Sequence, residues 1–159
     1  MDIVHQKLIG LAIENRTVMP RRAKNSDLRT REYLTEAEIE ALIAAARRNR
    51  YGHRDATMIL VAFRHGLRSS EVTDLRWDQV DFTRAVLHVR RAKGGTPSVH
   101  PLSGSEMRAL RRLQRKSDAS PFVFVSERGA PFTNAGFARM IQRAAMAARR
   151  AGQSRKRRL

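Results

Sequence analysis

The chain contains no cysteine, so neither a disulfide framework nor a thiolate-held metal can belong to it. Acidic residues are scarce, 15 against 32 Lys and Arg, and none occurs beyond Glu127. Long apolar runs are missing as well. The longest, Met58 to Phe63, is far short of the roughly 20 residues that a bilayer-spanning helix needs. At the start, Ile3 to Ile13 is interrupted by His5, Gln6, Lys7 and Gly10, so no continuous signal-peptide core forms. These absences exclude a disulfide scaffold and a helical membrane anchor, and a cytoplasmic protein is the expectation.

What is present is positive charge. A net charge of +17 over 159 residues makes a polyanion the default partner, bound through phosphate contacts that weaken as salt rises. The length suits one domain with a real core, or a short arm plus a smaller domain. Residues 1–32 read as such an arm. Met1 to Ile13 carries a short amphipathic pattern, and Arg16 to Arg31 is a basic link with the single acid Asp27, broken by Pro20. That stretch is either a solvated leader or a segment lying along phosphates.

The folded part begins near Tyr33. Thr35-Glu36-Ala37-Glu38 spells a capping box. Ile39, Leu42, Ile43 and Ala46 share one face, which predicts a helix to about Arg48. Asn49 to Gly52 reads as a turn, and Ala56, Ile59, Leu60, Val61 and Phe63 as a second helix running into Gly66, which tolerates the left-handed geometry that ends helices. A new helix starts at Ser69 or Ser70. Arg68 precedes Glu71 by three residues, so the carboxylate can fix the guanidinium, whose planar fork matches two phosphate oxygens.

After Asp81 the period becomes alternating. Ala85 to Arg90 and Pro97 to Leu102 read as two strands joined at Lys93-Gly94-Gly95, with Pro97 and Pro101 suited to an edge. Ser103-Gly104-Ser105-Glu106 is a second capping box, opening a helix through Met107, Leu110 and Leu113 whose other face shows Arg108, Arg111, Arg112 and Arg115. Pro121 to Val125 reads as a short buried strand and Thr133 as the cap of a last helix ending near Ala148. Residues 149–159 read as a basic tail without apolar period. Trp77, Leu75, Ile59, Phe63, Leu110 and Phe122 are the expected core. His65 reads as a helix-end residue able to bond the last carbonyls, and His100 as an ordinary strand residue.

The run Gly66-Leu67-Arg68-Ser69-Ser70-Glu71-Val72, together with Leu75-Arg76-Trp77-Asp78-Gln79-Val80-Asp81 after it, resembles the first-arginine box of the tyrosine recombinases, the phage-integrase family of site-specific DNA recombinases. The resemblance covers 33–148 as a partial catalytic domain. It implies an α+β, mainly α fold, a helical domain with a small antiparallel β-hairpin or sheet. It implies attack by a tyrosine on DNA, giving a 3′-phosphotyrosine without metal or nucleotide cofactor, with arginines supporting the phosphate and a hairpin lysine handling a proton.

On that pattern Arg68 is the first catalytic arginine, Glu71 its support and Lys93 the hairpin lysine, although a hairpin lysine also serves as plain edge protection. Arg64, Arg90, Arg91, Arg108 and Arg112 are candidate DNA contacts, and double-stranded DNA is the implied partner, with self-association or full-length recombinase protomers as further partners and no membrane. The second box, His-x-x-Arg, and a downstream tyrosine are not found. The two tyrosines, Tyr33 and Tyr51, both precede Arg68. The literal His65-Gly66-Leu67-Arg68 match cannot be the second box, because the Leu75-Arg76-Trp77 run and the hairpin downstream of it belong to the first. The expectation is a DNA-binding recombinase fragment, C-terminally truncated and unable to cleave DNA alone. The alternative is a small basic nucleic-acid-binding regulatory or structural protein.

Overall fold

The computed structural model describes residues 34–91, 95–116 and 120–156, and the residues from Leu34 onward form one unit. The element order is α1 (Glu36–Ala46), α2 (Gly52–Arg64), α3 (Ser69–Thr73), a 3-10 turn (Trp77–Gln79), β1 (Val80–Asp81), β2 (Val86–Val89), β3 (Ser98–Pro101), α4 (Gly104–Gln114) and α5 (Asn134–Lys156). The expected α+β, mainly α architecture is therefore the observed one. The arm 1–32, Tyr33, the Lys93 turn and the last three residues lie outside the described residues.

Both capping boxes form. Thr35 Oγ1 accepts from the Glu38 amide at 3.4 Å while Glu38 Oε2 accepts from the Thr35 amide at 2.9 Å, and Ser103 and Glu106 repeat the exchange at 3.3 and 2.9 Å. Each pair satisfies donors that the first turn of a helix cannot bond internally. The apolar helix faces meet in one core: Leu42 and Ala46 of α1, Met58, Ile59 and Val61 of α2, Leu110 of α4, and Met140 and Ala144 of α5. Helix α1 packs against both α2 and α5, and α2 packs against α4. Gly52 starts α2 where a Cβ would lie 2.0 Å from the Arg47 carbonyl oxygen, so this helix start admits glycine alone.

The sheet has three antiparallel strands in the order β1-β2-β3, with Val80 opposite Leu87 and Leu87 opposite His100. Leu87 and Val89 point into the core while His88 points out, the period-2 pattern of a half-buried strand. Pro101 lies in β3, an edge strand, where its missing N–H costs no ladder bond. The strand β1 has no signal in the sequence, because two residues carry no periodicity.

Three expectations need correction. Pro121 to Val125 is not a continuous strand but is held by isolated bridges, Arg76 to Phe122 and Val125 to Pro131, since Pro131 can offer its neighbour no N–H. Phe63 is 45% exposed, because it sits in the last turn of α2 beyond the core and faces an open groove beside Val99 and Pro101. Leu75, Ile59 and Leu110 are buried, whereas Trp77 and Phe122 are only partly so. Finally, α5 continues past Ala148 to Lys156; Ala151, Gln153, Arg155 and Lys156 are all compatible with a helix even though they lack an apolar stripe.

Candidate nucleic-acid interface

Helix α2 ends at a corner. The His65 and Gly66 amides fold back onto the Val61 and Phe63 carbonyls, the Leu67 amide onto the Ala62 carbonyl, and Gly66 takes φ of +57°, the left-handed geometry in which a side chain costs about 1 kcal/mol or more. The chain leaves this corner extended at Arg68, the residue that caps α3. The Arg68 amide donates to Glu71 Oε2 at 2.9 Å, and Arg68 Nη1 lies 3.8 Å from Glu71 Oε1. The Glu71 side chain is 2% exposed and that of Arg68 is 62% exposed, so a sunken carboxylate orients a guanidinium that reaches out to solvent. The i,i+3 pairing read from the sequence is thus present.

Glu71 also serves a second arginine. Arg91, at the end of the hairpin's first strand, donates through Nη1 to Glu71 Oε2 and to the Gly66 carbonyl, both at 3.2 Å. Arg91 therefore clamps the corner to the sheet from 20 residues away. Only a tertiary fold could disclose that. Its side chain is 27% exposed, which leaves it at once a structural clamp and a second positive charge beside Arg68.

Glu71 and Arg91 line an open groove together with Ser70, Asp74, Arg76, Gln79, Arg90 and Phe122. Arg76 stacks over the Phe122 ring at 5.1 Å. Arg90 donates to Asp78 at 3.2 Å with both side chains exposed, a pairing of the kind that contributes at most about 1 kcal/mol and gives way readily to a phosphate. Of the other candidate contacts, Arg64 is exposed on a different groove, beside Phe63 and Val99, and Arg108 and Arg112 are exposed one turn apart on α4. The structure thus gathers Glu71, Arg90 and Arg91 in one groove, sets Arg68 beside it against Glu71, and leaves Arg64, Arg108 and Arg112 elsewhere. Lys93 lies outside the described residues, between Arg91 and Gly95.

A second depression, lined by Arg50, Tyr51, His53, Arg54, Leu113 and Lys116 among others, lies at the far end of α2. Tyr51 is there, with the Arg54 guanidinium 4.7 Å and the Arg50 guanidinium 5.4 Å from its ring centroid. Thirteen helical residues separate Tyr51 from the Arg68 corner, about 20 Å at the usual rise per residue. Tyr51 cannot attack a phosphate held by Arg68. The volume of a depression is no guide to the chemistry here, since a duplex is bound on open convex or grooved surface rather than in a closed pocket.

Two further residues depart from expectation. The His65 side chain bonds no helix carbonyl; it faces Glu106 and His100, because burial turns the ring inward. His100 is accordingly more than a strand residue. A buried carboxylate in the first turn of a capped helix, facing one histidine that in turn faces another, has no signal in the local residue order. Among the described residues no helix is long and apolar enough to cross a membrane.

Comparison with known proteins points the same way. Residues 32–157 match the phage integrase family model. The chain is 34% identical over 124 residues to the type 1 fimbriae regulatory protein FimE of Escherichia coli K12, covering 74% of this chain and 63% of FimE. It is 32% identical over 121 residues to FimB of the same strain, covering 73% and 60%. It is 34% identical over 96 residues to tyrosine recombinase XerA of Pyrococcus horikoshii, covering 60% and 32%. The chain thus spans about three-fifths of the length of the fimbrial relatives. Among solved structures, a XerA recombinase crystal structure superposes with a TM-score of 0.65 at 25% identity, covering 76% of this chain and 44% of that one. The lambda integrase catalytic core shares the fold, with a TM-score of 0.60 at 20% identity over 74% of this chain and 70% of that one.

Proposed function

Because the chain belongs to the phage integrase family of tyrosine recombinases, we propose that it is the DNA-binding, first-arginine part of a site-specific recombinase catalytic domain. Arg68 contacts the phosphate at which strand transfer occurs. Glu71 aims it, Arg91 and Arg90 add positive charge along the same groove, and Lys93 handles a proton at the leaving oxygen. The observation that carries this reading is the exposed Arg68 guanidinium beside its sunken Glu71 partner, with Arg91 on the other oxygen of the same carboxylate. Crystal structures of a neighbour in fold, lambda integrase, bound to DNA and, as a tetramer, to a Holliday junction support double-stranded DNA as the partner and assembly of several protomers as the working state.

These 159 residues bind duplex DNA through counterion release, with affinity falling as salt rises by a log-log slope of about 0.9 per phosphate contacted. They do not cleave it by themselves. An ordinary phenol titrates near pH 10 and is a weak nucleophile unless held in line beside cationic groups, and Tyr51 is held at the wrong end of α2. Mixed with a nicked suicide substrate and run on a denaturing gel, the chain is expected to give no shifted, protease-sensitive band. A version extended by the family's C-terminal segment is expected to give one that depends on Arg68 and Lys93. A band from the short chain that disappears in Tyr33→Phe or Tyr51→Phe would overturn this assignment of the nucleophile. Duplex binding indifferent to salt would overturn the DNA reading itself.

A further inference from the structure

Behind the Arg68 corner lies a set of polar side chains that phosphate binding does not use. The buried His65 ring places Nε2 3.0 Å from Oε1 of Glu106, whose side chain is 1% exposed. The N–H is not aligned for a linear hydrogen bond, so this is an electrostatic contact at bonding distance. On its other side, His65 Nδ1 is 3.3 Å from Nδ1 of His100 on β3, and His100 Nε2 is 2.8 Å from Ser98 Oγ. The remaining Glu106 oxygen accepts from the Ser103 hydroxyl at 2.6 Å and the Ser103 amide at 2.9 Å.

Two Nδ1 atoms that face each other can bond only if one carries a hydrogen and the other does not. With both rings neutral, His65 presents Nε2–H to Glu106 and accepts at Nδ1 from His100, whose Nε2 accepts from the Ser98 hydroxyl. One added proton fits without breaking the chain: His65 then donates at Nδ1 to His100, which donates from Nε2 to Ser98 Oγ. A second added proton does not fit, because two N–H groups would oppose each other at 3.3 Å.

We propose that Glu106, His65, His100 and Ser98 form one brace that holds the hairpin strand β3 against the Arg68 corner, with His65 a positioning residue for Arg68. Movement of His65 passes directly into Gly66, whose carbonyl Arg91 grips, and so into Arg68 and Glu71. The functional meaning of the brace rests on the reading of Arg68 as the phosphate arginine. The groups facing it are Glu106 and Ser103 from α4, Ser98 from β3 and Arg91 from the end of β2, while Arg64 and Glu36 line the same groove. Burial, then the positive charges of His65 and Arg91, hold His100 below the usual imidazole range, so it remains the neutral member. The brace is intact while His100 is neutral and opens as pH falls through that lowered value.

The test is a pH titration of the full chain, labelled with nitrogen-15, from about pH 8 to about pH 5, the span in which imidazoles change charge. The ring nitrogens of His65 and His100 are followed together with the Arg68 amide and Nε–H. The expected result is two coupled ring titrations, the His100 midpoint below the ordinary range, and an Arg68 shift with that same midpoint, which is lost in His100→Gln. Arg68 signals that ignore the titration in the wild type would overturn the positioning role, and independent ring titrations would overturn the brace. Neither readout needs DNA. If Arg68→Ala leaves duplex affinity unchanged, the phosphate reading fails separately.

Discussion

An arginine–carboxylate pair sits at each end of α2, one inside its first turn and one past the corner that follows its last, and the two pairs are built for opposite purposes. At its start Arg54 is enclosed. Nε and Nη2 bond Asp55 Oδ1 at 2.9 and 2.7 Å, Nη1 bonds the Val125 carbonyl at 3.0 Å, and the Tyr51 and Phe132 rings each lie 4.7 Å from its guanidinium carbon. Its side chain is 13% exposed. Past the other end of the helix, Arg68 is 62% exposed and its carboxylate contact is a long 3.8 Å. One arginine has its donors directed into the fold, joining α2 to the bridged segment before α5. The other is oriented but presented. The same kind of pair, arginine with carboxylate, is a structural rivet in the first case and a candidate phosphate hand in the second, and exposure separates them.

The largest effect expected from breaking this contrast is at Asp55. Removing it in Asp55→Ala leaves the Arg54 charge buried without its partner, a change that costs roughly 3–5 kcal/mol. It also takes an acceptor from Asn49, which bonds Asp55 Oδ2 at 3.2 Å. Urea unfolding should show a markedly lower midpoint with an unchanged slope. A midpoint close to wild type would show that the enclosed pair is no rivet.

Next in size is acid. Burial by itself would raise the Glu106 carboxyl, but the close contact and charge of His65 and the hydrogen bonds from the Ser103 hydroxyl and amide outweigh it and hold the group at about 2. A carboxyl whose folded value is depressed stabilises above the unfolded value and loses that contribution as pH falls between the two. The window therefore runs from about pH 4.5 down to about 2, and the whole effect is on the order of 3 kcal/mol at about 1.4 kcal/mol per unit. Hydrogen exchange should show protection failing first at Ser103–Glu106 and β3, beside the Arg68 corner. Glu106→Gln should flatten stability across that window, and an unchanged slope in the variant would assign the acid sensitivity elsewhere.

How much of this could be read from residue order depends on the reach of each interaction. The Arg68–Glu71 pair spans three residues, the two capping boxes span three, and all are legible because a helix start fixes which residues meet. The Arg91–Glu71 bond spans 20 residues and the His65–His100 contact 35; no local period encodes them. Phe63 illustrates the converse. It continues the apolar stripe of α2, yet the stripe outruns the core, so periodicity overstates its burial. The helix end expected near Ala148 falls short for a related reason, since a polybasic stretch without an apolar period looks like a tail although Ala, Gln, Lys and Arg are good helix formers.

The smallest stability effect, and the sharpest division between the two ends, is expected at Arg68. Its side chain is mostly in water, and a contact at 3.8 Å screened from that side contributes at most about 1 kcal/mol, so Arg68→Ala should barely move the unfolding midpoint. Glu71 keeps Arg91 as a partner and stays satisfied. Duplex binding, by contrast, should weaken, and the log-log salt slope should fall by about 0.9, the signature of one phosphate contact removed. The enclosed arginine gives the opposite expectation: Arg54→Met should lower the midpoint and leave the salt slope of the folded protein where it was. If Arg68→Ala changed stability as much as Asp55→Ala does, or left the salt slope untouched, the presented arginine would be a second rivet and the groove beside it would lose its claim on DNA.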